Sequence, residues 1–411
     1  MDHQNYVFVG VDTHKNQHTA CVLDCFHQKL GLTQTPNNPA HYQNFIQDIN
    51  SFKTPDKKII FGLEDTQGLG HSLAQWLLDQ DYTVKEINPA LTKRERHHSA
   101  NPDKSDEIDS EAIANVLLTD LNKLPDALYD ANFKAIRQLN NQRQTLVKER
   151  TILKNRFHNL IHQQYPEYKK LFSDPFGKTA MAFYEEFPHP SDLNYYGETR
   201  LQNFLEDQVK SIGNDKAATI LSFVDKDKKK TADAKARNTI IKSTIEHLRL
   251  LEKSLEKINN QLKKAIEKSQ YQLTTMPGID FKLAALFISN IKNIDRFESA
   301  SKLARYAGLA PVEHSSGTSK KLGHKKYGCR DLNHAFYMLA FEQVGKTKNS
   351  KIKNPVSYKY YQKKLKEGKS RAVALTCLQR RLVDIIYAMM RDRSAYKLPE
   401  NIDYEVLNKA G

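Results

Sequence analysis

Hydrophobic and polar positions change their period along the chain, and each period predicts a different architecture. Over the first 125 residues short β-rich runs come first: Tyr6–Val11 is apolar, His18–Leu23 can pair with it as a hairpin, and Lys29–Thr35 reads as a third strand. Strand and helix then alternate. The spacing predicts a helix from about Pro39 to Phe52, a buried strand at Lys58–Leu63, a helix at Gly68–Gln80 and a strand at Tyr82–Ile87. An amphipathic helix with acidic first turns follows at Ser105–Leu118. Three strands followed by alternating helix and strand predict an α/β fold for residues 1–125.

That order is of ribonuclease H-like type, and beyond it the period lengthens. From about Asn132 to Gln164, Leu139, Leu146, Leu153 and Leu160 recur every seven residues. A second long helix puts Ile241, Leu248, Leu255 and Leu262 on one seam, with Leu251 and Ile258 beside it. Heptads of this length predict paired helices, within one chain or between subunits, over residues 126–272. Between them, Tyr165–Lys235 mixes Pro, Gly, aromatics and the run Asp225–Lys230, and reads as an irregular insert with a charged linker. Residues 273–411 read as mainly α. Their first segment, TTMPGIDFKLAALFISNI, breaks at Pro277 and Gly278 between two helical runs. A helix-hairpin-helix, whose turn offers backbone N–H groups to a phosphate, and a plain helix–turn–helix packing unit both fit it.

Charge sharpens this division. The chain of 411 residues carries 63 Lys+Arg against 48 Asp+Glu, a net of +15. Residues 1–125 hold 11 against 17, a net of −6, so the other 286 hold 52 against 31, a net of +21. An acidic front on a basic body fits a protein that binds a polyanion and concentrates carboxylates for a purpose. A mean hydropathy of −0.66, with no apolar run near the roughly 18 residues of a bilayer span, excludes a membrane-spanning helix. The start MDHQNYVFVGVD lacks the basic and apolar regions of a secretory signal, so the expected location is cytoplasmic. Cys21, Cys25, Cys329 and Cys377 form no CxxC pair, which argues against a disulfide framework or structural zinc.

Two sets of residues could carry chemistry. Asp12 follows the first strand, Glu64 follows a buried strand, and Asp106 and Asp109 lie three apart on a helix, hence on one face. Were the sheet to bring both strand ends against that helix, four acids would meet, and such a cluster is stable only when protons or divalent cations neutralise it. Mg²⁺ prefers oxygen ligands and keeps water or phosphate in its shell, so a two-ion phosphodiester site is one reading. Chance placement of some of the 17 acids is the other. The second set is a predicted loop in which His314, Ser315 and Ser316 precede Gly317, followed by Lys320, Lys321, Lys325, Lys326 and Arg330. Those cations would position a nucleic-acid strand. A serine there becomes a nucleophile only if something takes its proton or the phosphate is polarised, and residue chemistry alone leaves it a turn residue.

The segments VGVDTHK, GLEDTQGLG, INPALTKRERHHSANPDKSDEIDSEAIA, TTMPGID, YAGLAPVEHSSGTS and KKYGCRDLNHAFYMLA, in this order around a long helical span, resemble the insertion-sequence one-ten (IS one-ten) family of DEDD transposases. That family also contains the pilin-gene inverting recombinase Piv. The resemblance implies a RuvC-like domain whose metal-binding tetrad falls on Asp12, Glu64, Asp106 and Asp109, with Mg²⁺ as cofactor. It also implies a C-terminal transposase domain whose catalytic serine falls on Ser316, or by a one-residue ambiguity on Ser315. The implied partners are donor and target DNA, a structured non-coding bridge RNA that guides recombination, and further copies of the chain in a dimer or tetramer. A nuclease of Holliday-junction type, and a nucleic-acid-binding protein without catalysis, are the alternatives. The Tyr165–Lys235 stretch matches no motif of the family.

Overall fold

In the first compact unit, Met1–Lys134 with Asn293–Lys302, five strands form one sheet in the order β3-β2-β1-β4-β5. The computed structural model describes residues 3–66, 68–96, 105–127, 130–209, 215–224, 231–310, 312–316, 319–323, 328–347 and 351–398. β1 (Tyr6–Thr13), β2 (Gln17–Leu23) and β3 (Lys29–Pro36) form an antiparallel meander. β4 (Lys58–Leu63) then pairs parallel with β1, and β5 (Thr83–Glu86) pairs parallel with β4. The helices are α1 (Tyr42–Ser51), α2 (His71–Asp79), α3 (Pro89–Arg96) and α4 (Asp106–Asp120). Each predicted strand is present, within a few residues of its expected ends. α3 was not foreseen, because PALTKRER has no apolar stripe beyond one buried residue, Thr92.

Strand alternation sorts the residues of β1 onto two faces. Val7, Val9 and Val11 point to one side and pack with Tyr42 and Phe45 of α1 and Leu73 and Leu77 of α2. Phe8 points to the other, where it joins Ile60 of β4 with Ile113 and Leu117 of α4. Gly10 and Asp12 share the parity of Phe8, and Gly62 and Glu64 share that of Ile60. The register pairs Phe8 with Ile60 and Gly10 with Gly62, so two glycines lie side by side under α4.

The second unit, Ala135–Lys292 with Leu303–Gly411, is helical apart from one hairpin. α5 (Ala131–Gln164) and α10 (Ala232–Lys268) are its long helices. Arg143 bonds Asn259 through Nε at 3.0 Å, and Gln164 bonds Asn238 at 2.6 Å. Both intervals are three heptads, traversed in opposite directions, so the two helices pair antiparallel within one chain. Of the two pairings open from sequence, this is the intramolecular one. Ile241, Leu248, Leu255 and Leu262 are all buried on the seam, as is Leu146, while Leu139, Leu153 and Leu160 are half-buried.

The stretch read as an irregular insert is, in its described residues, four short helices: α6 (Tyr168–Leu171), α7 (Lys178–Glu186), α8 (Glu198–Gln208) and α9 (Lys216–Phe223). Their core is aromatic, with Phe157, Tyr165, Phe183, Tyr184 and Phe187 packed against Ile241 and Ile245 at one end of the long pair. Helices of four to eleven residues separated by Pro and Gly show no sustained period, which is why sequence reading did not see them. The run Asp225–Lys230 lies outside the described residues.

Beyond α10 come α11 (Phe281–Ile291), α12 (Ala300–Tyr306), β6 (Val312–Ser316), β7 (Ser319–Gly323), α13 (Arg330–Val344), α14 (Pro355–Lys366) and α15 (Arg371–Arg391). At the Pro277–Gly278 break a short 3-10 turn, Leu273–Thr275, precedes α11. The Asp280 side chain accepts from the N–H groups of Lys282 and Leu283. Two of the N–H groups that a hairpin would offer to phosphate are thus already satisfied by the chain itself.

Candidate active site

Parity and register decide where the first pair of acids goes. Val11 of β1 sits opposite Leu63 of β4, so Asp12 and Glu64 emerge one step further along at neighbouring parallel strand ends, on the face covered by α4. α4 can lie close because Gly10 has no side chain: a Cβ there would stand 2.2 Å from the backbone nitrogen of Ala114 and 2.3 Å from the carbonyl oxygen of Ser110. The helix begins where Ser105 accepts from the Ile108 N–H, and Asp106 and Asp109 occupy its first turn, where the helix dipole favours negative charge.

The geometry around these acids includes residues that sequence reasoning passed over. His14 Nε2 lies 3.0 Å from Asp12 Oδ2 and 3.2 Å from Asp106 Oδ1, bridging the strand end to the helix. Burial pulls the His14 pKa down, but the two carboxylates outweigh it and the imidazole titrates above its usual value. Arg96, the last residue of α3, pairs with Asp109 at 2.5 Å. Burial raises the Asp12 carboxyl, His14 opposes the shift, and Asp109 and Asp106 add to it. Burial likewise raises Glu64; nearby Thr92 and Arg96 lower it, and the Asp12 and Asp109 charges push it higher. One signal for His14 was available: it stands two residues after Asp12, hence on the same face of an extended strand. Arg96 and Thr92 had none, because they belong to the unforeseen α3.

One ligand atom each from Asp12, His14 and Asp106 lies within 4.8 Å of the others, close enough to share an ion. The donor chemistry fits a divalent cation: carboxylate oxygens and an imidazole nitrogen face one another, and the Asp12 and Glu64 carboxyls are raised first by burial and then by neighbouring negative charge that an ion would neutralise.

The serine segment differs from its expected form. Ser315 and Ser316 are not in a loop but on β6, with Ser316 opposite Ser319, Ser315 opposite Lys320 and His314 opposite Lys321. Arg330 is the exposed first residue of α13. Lys325 and Lys326 lie outside the described residues, as do the side chains of Ser315, Ser316, Lys320 and Lys321.

Comparison with known proteins bears on both ends of the chain. A transposase family model, the DEDD transposase of IS110, matches residues 9–166, which hold all four acids. A second, the transposase IS116/IS110/IS902 family, matches residues 270–362, which hold the serine hairpin. The chain belongs to the IS110 family of transposases. It is therefore a DNA-binding enzyme that acts as a recombinase, and its DEDD domain implies dependence on a divalent metal. Over 400 residues it is 24% identical to the insertion element IS116 uncharacterized 44.8 kDa protein of Streptomyces clavuligerus, covering 95% of this chain and 96% of that protein. It is 23% identical to the insertion element IS900 uncharacterized 42 kDa protein of Mycobacterium paratuberculosis, covering 95% and 97%. Over 127 residues it is 31% identical to the pilin gene-inverting protein of Moraxella bovis, covering 30% of this chain and 37% of that protein. Among the described residues of this IS110-family chain, no helix is long and apolar enough to cross a membrane.

Proposed function

We propose that this IS110-family enzyme cuts and rejoins DNA by transesterification at Ser316, with divalent ions, Mg²⁺ first among them, held by Asp12, Glu64, Asp106 and Asp109 in a ribonuclease H-like, RuvC-type domain. The observation that carries this is the emergence of Asp12 and Glu64 at adjacent strand ends, with Asp106 joined to Asp12 through His14. When bound, the metal supplies charge neutralisation and polarisation of the scissile phosphate. Asp12 and Glu64 come from rigid strands and Asp106 and Asp109 from one helix turn, so the donors are fixed before substrate arrives. Arg96 holds Asp109 in orientation, and His14 must leave the space between Asp12 and Asp106 or join them as a ligand.

In the chemical step, Ser316 Oγ loses its proton and forms an ester to phosphorus as the bond from phosphorus to one deoxyribose oxygen breaks, and that oxygen takes up a proton. One phosphoester replaces another, so rejoining needs no ATP. Strand alternation supports Ser316 over Ser315. Ser316, His314 and Lys321 occupy positions of one face of the hairpin, whereas Ser315 shares its face with Glu313 and Lys320. Lys320, Lys321, Lys325, Lys326 and Arg330 position the DNA backbone.

A structured bridge RNA from the element's own ends guides this reaction in the same reading. Its support is the net +21 of residues 126–411, more cationic surface than one short duplex site requires. Two duplexes recombining call for an even number of copies, a dimer or a tetramer. Because the heptad seam is used within the chain, the contact between copies falls elsewhere.

The test is strand transfer between supercoiled donor and target with Mg²⁺ and the element's RNA. Recombinant product is expected. Nicked product alone would mean a metal nuclease, and binding alone a non-catalytic role. A covalent DNA adduct lost in Ser316→Ala and kept in Ser315→Ala would identify the nucleophile.

A further inference from the structure

A cavity of about 640 Å³ opens in the second unit where α5, the Gly278 turn, α11 and α13 meet. That volume falls within the roughly 300–1,000 Å³ of small-ligand sites. Its floor is apolar, formed by Ile279, Leu283, Leu286 and Met338, and α5 contributes Asn140, Arg143 and Gln144 to its wall.

Asn140 sets this cavity apart. The residue is only 3% exposed, lines the cavity, and its amide makes no hydrogen bond to any described residue. The amide is not among the buried side-chain atoms left without a partner, so its polar atoms open onto the cavity and are available to a polar ligand there. Gln144 beside it is likewise without a side-chain hydrogen bond among the described residues. Arg143 is anchored through Nε to Asn259. The two acids of the lining are occupied: Asp280 caps α11, and Glu342 pairs with Lys353. At the rim stand His334 and Lys282, whose Nζ lies 3.8 Å from Asp280 Oδ2, a long and exposed pairing that leaves the ammonium open to a phosphate.

The walls are set in advance. Gln343 Nε2 donates to the Pro277 carbonyl at 2.9 Å, and Gly278 adopts φ +88 with its Cβ position 3.3 Å from Glu342 Cβ. On the same exposed face of α13, Tyr337 and Phe341 stack with ring planes 18° apart.

We infer that this cavity takes one unpaired nucleobase of a bound nucleic-acid strand. The ring lies on the apolar floor, its edge meets Asn140 and Gln144, its phosphate faces Lys282, and the neighbouring base stacks on Tyr337 and Phe341. Amides both donate and accept, as base edges do. An apolar ligand would leave Asn140 unmet, and a simple anion would leave the floor unused. Adjacent aromatic platforms and cations are the usual means of holding single strands. The inference rests on the reading of the chain as an enzyme of nucleic-acid strands. A free nucleotide shares the chemistry, and the test separates the two sources.

The experiment measures binding of the full chain to a fluorescent single-stranded oligonucleotide and to an abasic strand of equal length. Asn140→Leu is expected to weaken binding of the base-bearing strand about tenfold, leave the abasic strand unchanged, and keep or raise the melting midpoint. Gln144→Ala should act in the same direction, and a strand carrying 4-thiouracil should cross-link to residues of α11 or α13. Unchanged affinity in both variants, or cross-links only outside the cavity, would overturn the assignment. So would equally tight binding of a free mononucleotide, which would make the strand irrelevant. Adduct formation at Ser316 does not depend on this cavity, so a failure here is distinct from a failure of the proposed chemistry.

Discussion

Gly10 on β1 and Ala114 on α4 approach so closely that a methyl group on the glycine would stand 2.2 Å from the alanine's backbone nitrogen. With Gly62 beside it in register, Gly10 forms a seat that lowers α4 until Asp106 comes within reach of the strand ends. Gly10→Ala must displace backbone rather than a flexible side chain. A loss of about 3 kcal/mol is expected, read as a lowered melting midpoint or as insoluble protein. A variant as stable as the parent would show that α4 is not seated there.

Asp12 and Glu64 are raised chiefly by burial, so each binds its proton more tightly folded than unfolded. Their contribution favours the fold below the unfolded carboxyl pKa and is lost as pH rises through the folded value, leaving a penalty near neutral pH. Glu64→Gln and Asp12→Asn should therefore melt a few degrees higher than the parent in EDTA at pH 7. Added Mg²⁺ should stabilise the parent and not the variants. Calorimetry with and without metal checks both halves, and equal response to Mg²⁺ in all three proteins would remove these acids from the metal site.

His18 on β2 is fully buried, and burial lowers its pKa. Folded protein takes up a proton there less readily than unfolded protein, so the stability involved is present above the unfolded value of about 6.5 and declines as pH falls below it. Between about pH 7 and about pH 5 the melting midpoint should fall, and His18→Leu should reduce that fall. An identical pH profile in the variant would contradict the assignment.

Cys21 is buried on β2 beneath α4, and burial pushes its thiol up to about 12. Cys25, Cys329 and Cys377 are each partly exposed. Alkylation of native protein should modify those three and spare Cys21 until denaturant is added. Mass spectrometry of the labelled peptides reads the order, and early modification of Cys21 would mean that the α4 side of the sheet opens readily.

Much of this architecture was legible because it depends on local period. The runs around Tyr6, His18, Lys29 and Lys58 have lengths and β-branched content that only strands satisfy, and the heptads of α5 and α10 speak for themselves. α3 and the α6–α9 cluster escaped notice because their helices are too short to complete an apolar stripe. The serine segment was read as a loop because Ser, Gly and Thr carry turn propensity, whereas cross-strand pairing places Ser315 and Ser316 on β6.

Sequence by itself determined which residue types stand at the strand ends and first helix turn, the family, and the acidic-to-basic division of the chain. Each is a property of order or composition and needs no knowledge of distance. The repeated signature of an apolar residue, a glycine and an acid at alternate positions, Phe8-Gly10-Asp12 and Ile60-Gly62-Glu64, was also there to be read. Tertiary structure alone decided that these two signatures lie in register, that His14 bridges Asp12 to Asp106, that Arg96 meets Asp109, and that α5 pairs with α10 of its own chain. Such contacts join residues distant along the chain. They follow from how closely whole elements pack, which no local pattern encodes.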